Sequence, residues 1–211
     1  MNEIKARRNE KIFQSDDALR RAFEWINSNR KMFRREVWGP VVCEITTDDV
    51  DISNCLEQHV RNNVWNSFVV ECMSDYDLLY REVREKCKIP INIQVVENGK
   101  LNPINRKYSD NKMALLKREH GIQGYLDECF TAPDPILQAL RNTSNVQSVV
   151  MGNQTTTDSL NNRNLMDLLN QKENGQGLQA SCVFATDRNK TYKVRPIFSF
   201  TQTLFSPYFT Q

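Results

Sequence analysis

Apolar positions recur at helical spacing early in the chain, at Leu19, Ala22, Phe23, Ile26 and Phe33, while Arg20, Arg21, Lys31 and Arg34 fall largely off that stripe. This predicts an amphipathic helix of about five turns, with Ser15 as its N-cap and Asp16 and Asp17 in the first turn, where the helix dipole favours acids. Its apolar face needs a partner. Two readings stay open, a helix docked on a domain or one strand of a coiled coil, because three clean heptads are not present. Gly39-Pro40 then punctuates the chain ahead of Val41-Val42-Cys43-Glu44-Ile45, whose β-branched content reads as a strand.

The pattern beyond this point alternates between the two periods. Residues 51–65 read as a helix with Ile52, Leu56, Val60 and Val64 on one face, residues 67–72 as a strand, and residues 74–87 as a helix capped by Ser74. Residues 89–96 alternate apolar and polar side chains as a half-buried strand does. Residues 97–111 are turn-rich and divide two lobes. The second lobe is predicted to hold a helix near 111–119, a Pro133-Asp134-Pro135 helix start running through Leu140, a strand over 146–152, and a helix over 157–171. A strand over 181–186 is expected to pair with 193–198 across a turn at 187–190, with Pro196 at an edge or bulge. Strands and helices in this order make a mixed α/β, or α+β, protein.

Composition narrows the class. A chain of 211 residues with 39% hydrophobic and 26% charged residues, 7 Gly and 7 Pro has the make-up of an ordinary globular protein. No apolar run approaches the ~20 residues of a membrane span, and the first residues lack the apolar core of a signal peptide, so the expectation is an intracellular protein or one whose targeting signal lies outside this sequence. Six cysteines with no CxxC pair and only His59 and His120 to help them lack metal-ligand spacing. Cys43, Cys72 and Cys182 fall in apolar runs and read as small buried hydrophobes.

Charge is unevenly spread. Residues 1–35 carry ten Lys or Arg against five acids, residues 36–185 carry 14 against 20, and residues 186–211 carry four against one. The ends are basic and the middle acidic, so ends that converge would merge into one patch. Catalytic signals are weak by contrast. No GxxxxGK[ST] loop or GxGxxG turn occurs, two histidines leave few nucleophile and base pairs, and Asp48-Asp49 and Asp127-Glu128 read as ordinary turn and helix-surface charges. No enzyme is expected, and neither metal nor cofactor. Basic residues interleave with aromatics near the C-terminus, at Arg188, Lys190, Tyr192, Lys193 and Arg195, then Phe198 and Phe200. That pairing suits single-stranded nucleic acid, in which cations meet phosphates and rings stack on unpaired bases. The aromatics have an equal claim to be core.

Two stretches carry a resemblance to a known family: Phe33-Arg34-Arg35-Glu36-Val37-Trp38-Gly39-Pro40-Val41-Val42-Cys43-Glu44-Ile45 and Gly124-Tyr125-Leu126-Asp127-Glu128-Cys129-Phe130-Thr131-Ala132-Pro133-Asp134-Pro135-Ile136. Over roughly residues 34–200 the chain resembles the hinge domain of a structural-maintenance-of-chromosomes (SMC) protein, most nearly the fifth eukaryotic subtype, which acts in DNA repair. The resemblance implies an SMC hinge-like fold of two small α/β subdomains: a coiled-coil arm or lead-in helix over 1–35, subdomain I over 36–100, and subdomain II with a return strand over 101–211. It implies a non-catalytic hinge, the ATP and Mg belonging to head domains, and a place on chromosomes in the nucleus. It further implies a heterodimer with the sixth-subtype SMC hinge through edge strands, here Ile91, Ile93 and Val95 with Ile197, Phe198 and Phe200. The paired glycines usual at that contact are missing from this sequence, which argues against a symmetric homodimer. DNA binding, preferably single-stranded, is expected at Arg30, Lys31, Arg34 and Arg35 with Arg188, Lys190, Tyr192, Lys193 and Arg195. The rival reading is a pure dimerisation scaffold without DNA binding. Neither reading needs a membrane or a small-molecule substrate.

Overall fold

A computed structural model describes residues 10, 12–161, 165, 168–169, 182–187 and 190–194. The chain divides into two compact units, the first made of residues 1–46, 60–102 and 131–144 and the second of 47–59, 103–130 and 145–211. Residues 131–144 therefore pack with the first unit, although their sequence neighbours on both sides belong to the second.

In the first unit, helix α1 (Asp17–Ser28) starts one residue later than the sequence suggests. Ser15 is occupied in donating to the Ile12 carbonyl at 2.7 Å, so Asp16 caps instead, accepting the Leu19 N–H at 2.9 Å. The helix stops well before Phe33 because Asn29 turns its amide onto the Trp25 carbonyl at 2.8 Å, a local bond that competes with the helical ladder. A 3₁₀ turn, Arg30–Met32, follows. Leu19, Ala22 and Ile26 are buried in one cluster with Phe68, Leu79, Val83 and Ile91, so the apolar face of α1 has its partner within this unit.

Residues 41–45 form no strand. They make the short helix α2 (Val41–Glu44), which begins directly after Pro40, a residue whose φ of −62° already suits a helix entry. The Cys43 N–H closes onto the Pro40 carbonyl at 2.8 Å, and burial of Val41 and Cys43 outweighs their strand preference. The extended contact falls instead on Trp38, which exchanges two 2.9 Å backbone hydrogen bonds with Val69. Strand β1 (Ser67–Val70) is buried along its whole length and pairs in parallel with β2 (Asn92–Val95), with Ser67 opposite Asn92 and Val70 opposite Val95. Burial on both faces explains its unbroken apolar run. The connection is helix α5 (Met73–Leu79), continued by a π-helical stretch, Tyr80–Lys86. Cys72 precedes α5 half-exposed, not as a core residue.

The helix predicted over 51–65 is broken by an extended Arg61 into α3 (Val50–His59) of the second unit and α4 (Asn62–Trp65) of the first. In the second unit, α6 (Asp110–His120) is capped by Ser109 and closed by Gly121 at φ +67°, both as helix-end chemistry requires. Four strands follow in the order β3 (Ile122–Tyr125), β4 (Val149–Gly152), β5 (Cys182–Asp187) and β6 (Lys190–Val194). The β3–β4 and β5–β6 pairs are antiparallel and β4–β5 is parallel. The last hairpin is tighter than expected, with Asp187 opposite Lys190 and Val183 opposite Val194. Residues 146–148 form a 3₁₀ turn ahead of β4, and helix α8 covers Gln154–Asn161, with residues 165 and 168–169 also helical. Between these elements lies α7 (Asp134–Ser144), which packs on β1 of the first unit. Its entry is tied by Thr131 and Thr46, whose backbones exchange two 2.8 Å hydrogen bonds.

Candidate functional site

Arg30 and Lys31 lie on the 3₁₀ turn after α1, and Arg34 and Arg35 on the loop behind it, all four exposed. The loop is held by a residue that sequence reasoning missed. Asp75, in the first turn of α5 and only 1% exposed, accepts the Arg34 N–H on Oδ1 and the Arg35 N–H on Oδ2, each at 2.9 Å. Cys72 Sγ lies 3.2 Å from the same Oδ2. A buried carboxylate needs such donors, and here they fix the backbone that carries the two arginines. In sequence Asp75 reads as an acid in a helix first turn; its actual partners lie 40 and 41 residues away. Arg30 reaches Glu36 at 3.3 Å, both side chains half in solvent, a pair worth little by itself. Arg30, Phe33, Arg35 and Glu36 also line a cleft of about 270 Å³.

The other DNA candidates are in the second unit. Lys190, Tyr192 and Lys193 are positions on β6, opposite Asp187, Ala185 and Phe184, at the edge of the sheet among the described residues. Arg188 and Arg195 lie outside the described residues, as do Ile197, Phe198 and Phe200.

Of the predicted pairing residues, Ile91 is 5% exposed and belongs to the first unit's core. Ile93 and Val95 are half-buried on β2, packed against that core. β2 bonds β1 along one edge, and its other edge has no strand beside it among the described residues. A groove of about 250 Å³ is lined by residues 91–94 of this strand and its lead-in, by Tyr76, Tyr80 and Arg84, and by Ser67 at the start of β1.

The second quoted motif has a structural purpose that also departs from the sequence reading. Asp127 is 4% exposed rather than a surface charge, and Arg106 spans it and Glu128 at 2.8 and 2.7 Å while its guanidinium lies 4.4 Å from the Tyr125 ring centroid. Burial raises the Tyr125 hydroxyl pKa, although that oxygen accepts the Tyr108 N–H at 3.1 Å. Burial, and then the carboxylates of Glu128, Asp127 and Asp49, push the Cys129 thiol up to about 11. Its neutral form therefore predominates through the neutral and mildly alkaline range, and the thiolate is the nucleophile. At pH 8, iodoacetamide is expected to leave Cys129 unmodified over a period that alkylates a thiol with the ordinary pKa of about 8.5; peptide mass mapping reads the outcome, and prompt labelling would contradict it.

Among the described residues no group of three His, Cys, Asp or Glu is placed to hold a metal ion, and no helix is long and apolar enough to cross a membrane.

No family model matches the chain. Over 140 residues, 66% of its length, it is 29% identical to structural maintenance of chromosomes protein 5 of Arabidopsis thaliana, and over 143 residues it is 27% identical to the protein of that name from Caenorhabditis elegans. The chain spans 13% and 12% of those two relatives. Among solved structures it is similar to the S. pombe Smc5/6 hinge domain, with a TM-score of 0.64 and 16% identity over 84% of this chain and 63% of that one. It is also similar to an asymmetric dimer of the Geobacillus stearothermophilus SMC hinge domain, with a TM-score of 0.50 and 12% identity over 97% of this chain and 79% of that one.

Proposed function

From a chain that has the fold of an SMC hinge and is similar in sequence to the fifth SMC subtype, we infer a non-catalytic hinge that pairs with the hinge of a sixth-subtype SMC protein and binds DNA, single-stranded by preference. It serves chromosome maintenance and DNA repair in the nucleus, and ATP hydrolysis belongs to other parts of the whole protein.

The observation that carries the pairing is the open edge of β2. Unpaired strand edges are templates for another strand, and Ile93 and Val95 stay half-buried beside this one instead of being screened by charge. The name of the Smc5/6 hinge supports the choice of partner. Ile91 is buried in the first unit's core, so in this reading Ile93 and Val95 carry most of the contact. Changing Ile93→Glu and Val95→Glu together puts two anions into the contact, and affinity for the sixth-subtype hinge is expected to fall about 100-fold by calorimetry, since a buried unpaired charge is strongly unfavourable. Unchanged affinity would mean that pairing uses another edge.

DNA binding rests on the four cations of the 30–35 segment and their fixed backbone; Lys190 and Lys193 of β6, in the second unit, are a separate candidate contact. Anisotropy of labelled single-stranded and duplex DNA across a salt series tests it. Tighter binding of the single strand, with a log-log salt slope of about −0.7 per neutralised phosphate, is expected; affinity that ignores salt would leave the pure scaffold.

A further inference from the structure

The groove beside β2 is chemically one-sided. Tyr76 and Tyr80 stack with ring centroids 6.1 Å apart and planes 20° from parallel, and the Arg84 guanidinium lies 5.4 Å from the Tyr80 centroid. The three residues are four apart, so they form one ladder along α5 and its π-helical continuation. Asn92 and Gln94 of β2 line the groove with them. Among the described residues Arg84 is the only charged one that lines it, and no Asp or Glu does.

We propose that this ladder selects the partner of the β2 edge by charge: the groove takes a strand bearing an acidic side chain from another protein and refuses the basic edge strand of a second copy of this chain. The proposal rests on the hinge-pairing reading. A strand adding to β2 gains main-chain hydrogen bonds regardless of its sequence, so specificity falls to the side chains beside the edge. A guanidinium backed by an aromatic ring keeps its planar fork free for a carboxylate, and Tyr and Arg are the residue types that most often dominate interfaces. Among the described residues, the edge strand of the four-stranded sheet that a second copy offers is β6, Lys190-Thr191-Tyr192-Lys193-Val194, with two lysines in five residues. Bringing those lysines to an acid-free groove headed by Arg84 places like charges together, a repulsive element that rejects the wrong partner.

The test uses the full chain, ¹⁵N-labelled, and two synthetic peptides that alternate Val with Glu or Val with Lys, each titrated into the millimolar range. The Val/Glu peptide is expected to shift β2 amides and to bind at least about tenfold more tightly than the Val/Lys peptide, a preference that fades as salt rises. In Arg84→Glu the preference reverses, and this variant self-associates in sedimentation equilibrium while the parent chain stays monomeric. Arg84 is exposed, so the exchange leaves the core untouched. Equal binding of both peptides would overturn charge selection and leave edge pairing standing. Failure of both to move β2 amides would overturn the edge reading as well. A parent chain that dimerises through β2 would also contradict the proposal.

Discussion

Asp75→Ala is expected to lower the stability of the first unit by about 3 kcal/mol and to weaken DNA binding by about tenfold, without removing a single cation. The carboxylate is almost wholly buried and accepts two backbone N–H groups from Arg34 and Arg35. Hydrogen bonds to a charged group contribute about 1.5–3 kcal/mol each, but Arg34 and Arg35 stand at the surface, where water can replace part of the loss, so the total falls in the lower half of the combined range. Asp75→Asn keeps the shape and presents an amide NH₂ to one of the two N–H donors; it is expected to recover less than half of the loss. Amide hydrogen exchange at Arg34 and Arg35 reads the local effect, and anisotropy on single-stranded DNA reads the functional one. Protection at both amides equal to that of the parent chain would show that the loop holds itself. Loss of protection with unchanged DNA affinity would move the DNA surface away from residues 30–35.

Gly39→Ala is expected to cost about 3–5 kcal/mol, from a strained backbone and a forced displacement together. Gly39 has φ +114°, a conformation that side-chain-bearing residues rarely adopt. An added Cβ would stand 2.9 Å from the Ser67 carbonyl oxygen, 3.2 Å from Phe68 Cα and 3.3 Å from Val41 N. All three are backbone atoms, so no side chain can swing aside. Two of them belong to β1, whose four residues are buried, so relief would have to displace a fully buried strand. In a chain of this length, such a loss lowers the melting temperature by about 10 °C. A variant melting within a degree or two of the parent would show that the turn before Pro40 relaxes freely.

Local periodicity made α6 and α7 legible, and with them β1, because these elements draw their apolar pattern and their end signals from adjacent residues. Helix α6 falls where the sequence put a helix, near 111–119, and Pro133-Asp134-Pro135 opens α7. The failures lie where partners are distant in sequence. The strand preference of Val41 and Val42 lost to burial of a short helix behind Pro40, which no window around those residues reveals. The break at Arg61 interrupts an apolar stripe that still looks continuous, since Val64 is buried on the far side of it. Asp127 looked like a surface acid because its counter-ion, Arg106, stands 21 residues earlier. Asp75 went unnoticed for the same reason. Of the predicted sites, the basic turn was visible as a charge run, whereas the support that makes it a defined surface was not. The β2 edge was visible as an alternating strand, whereas the burial of Ile91, which lies just before the paired residues, was not.

The measurement closest to the central claim is sedimentation equilibrium of this chain alone, of a sixth-subtype SMC hinge alone, and of their equimolar mixture. A monomer for this chain and a one-to-one heterodimer in the mixture are the predicted result. A mixture that sediments as two independent species, or a stable homodimer of this chain that the second hinge does not displace, would contradict it.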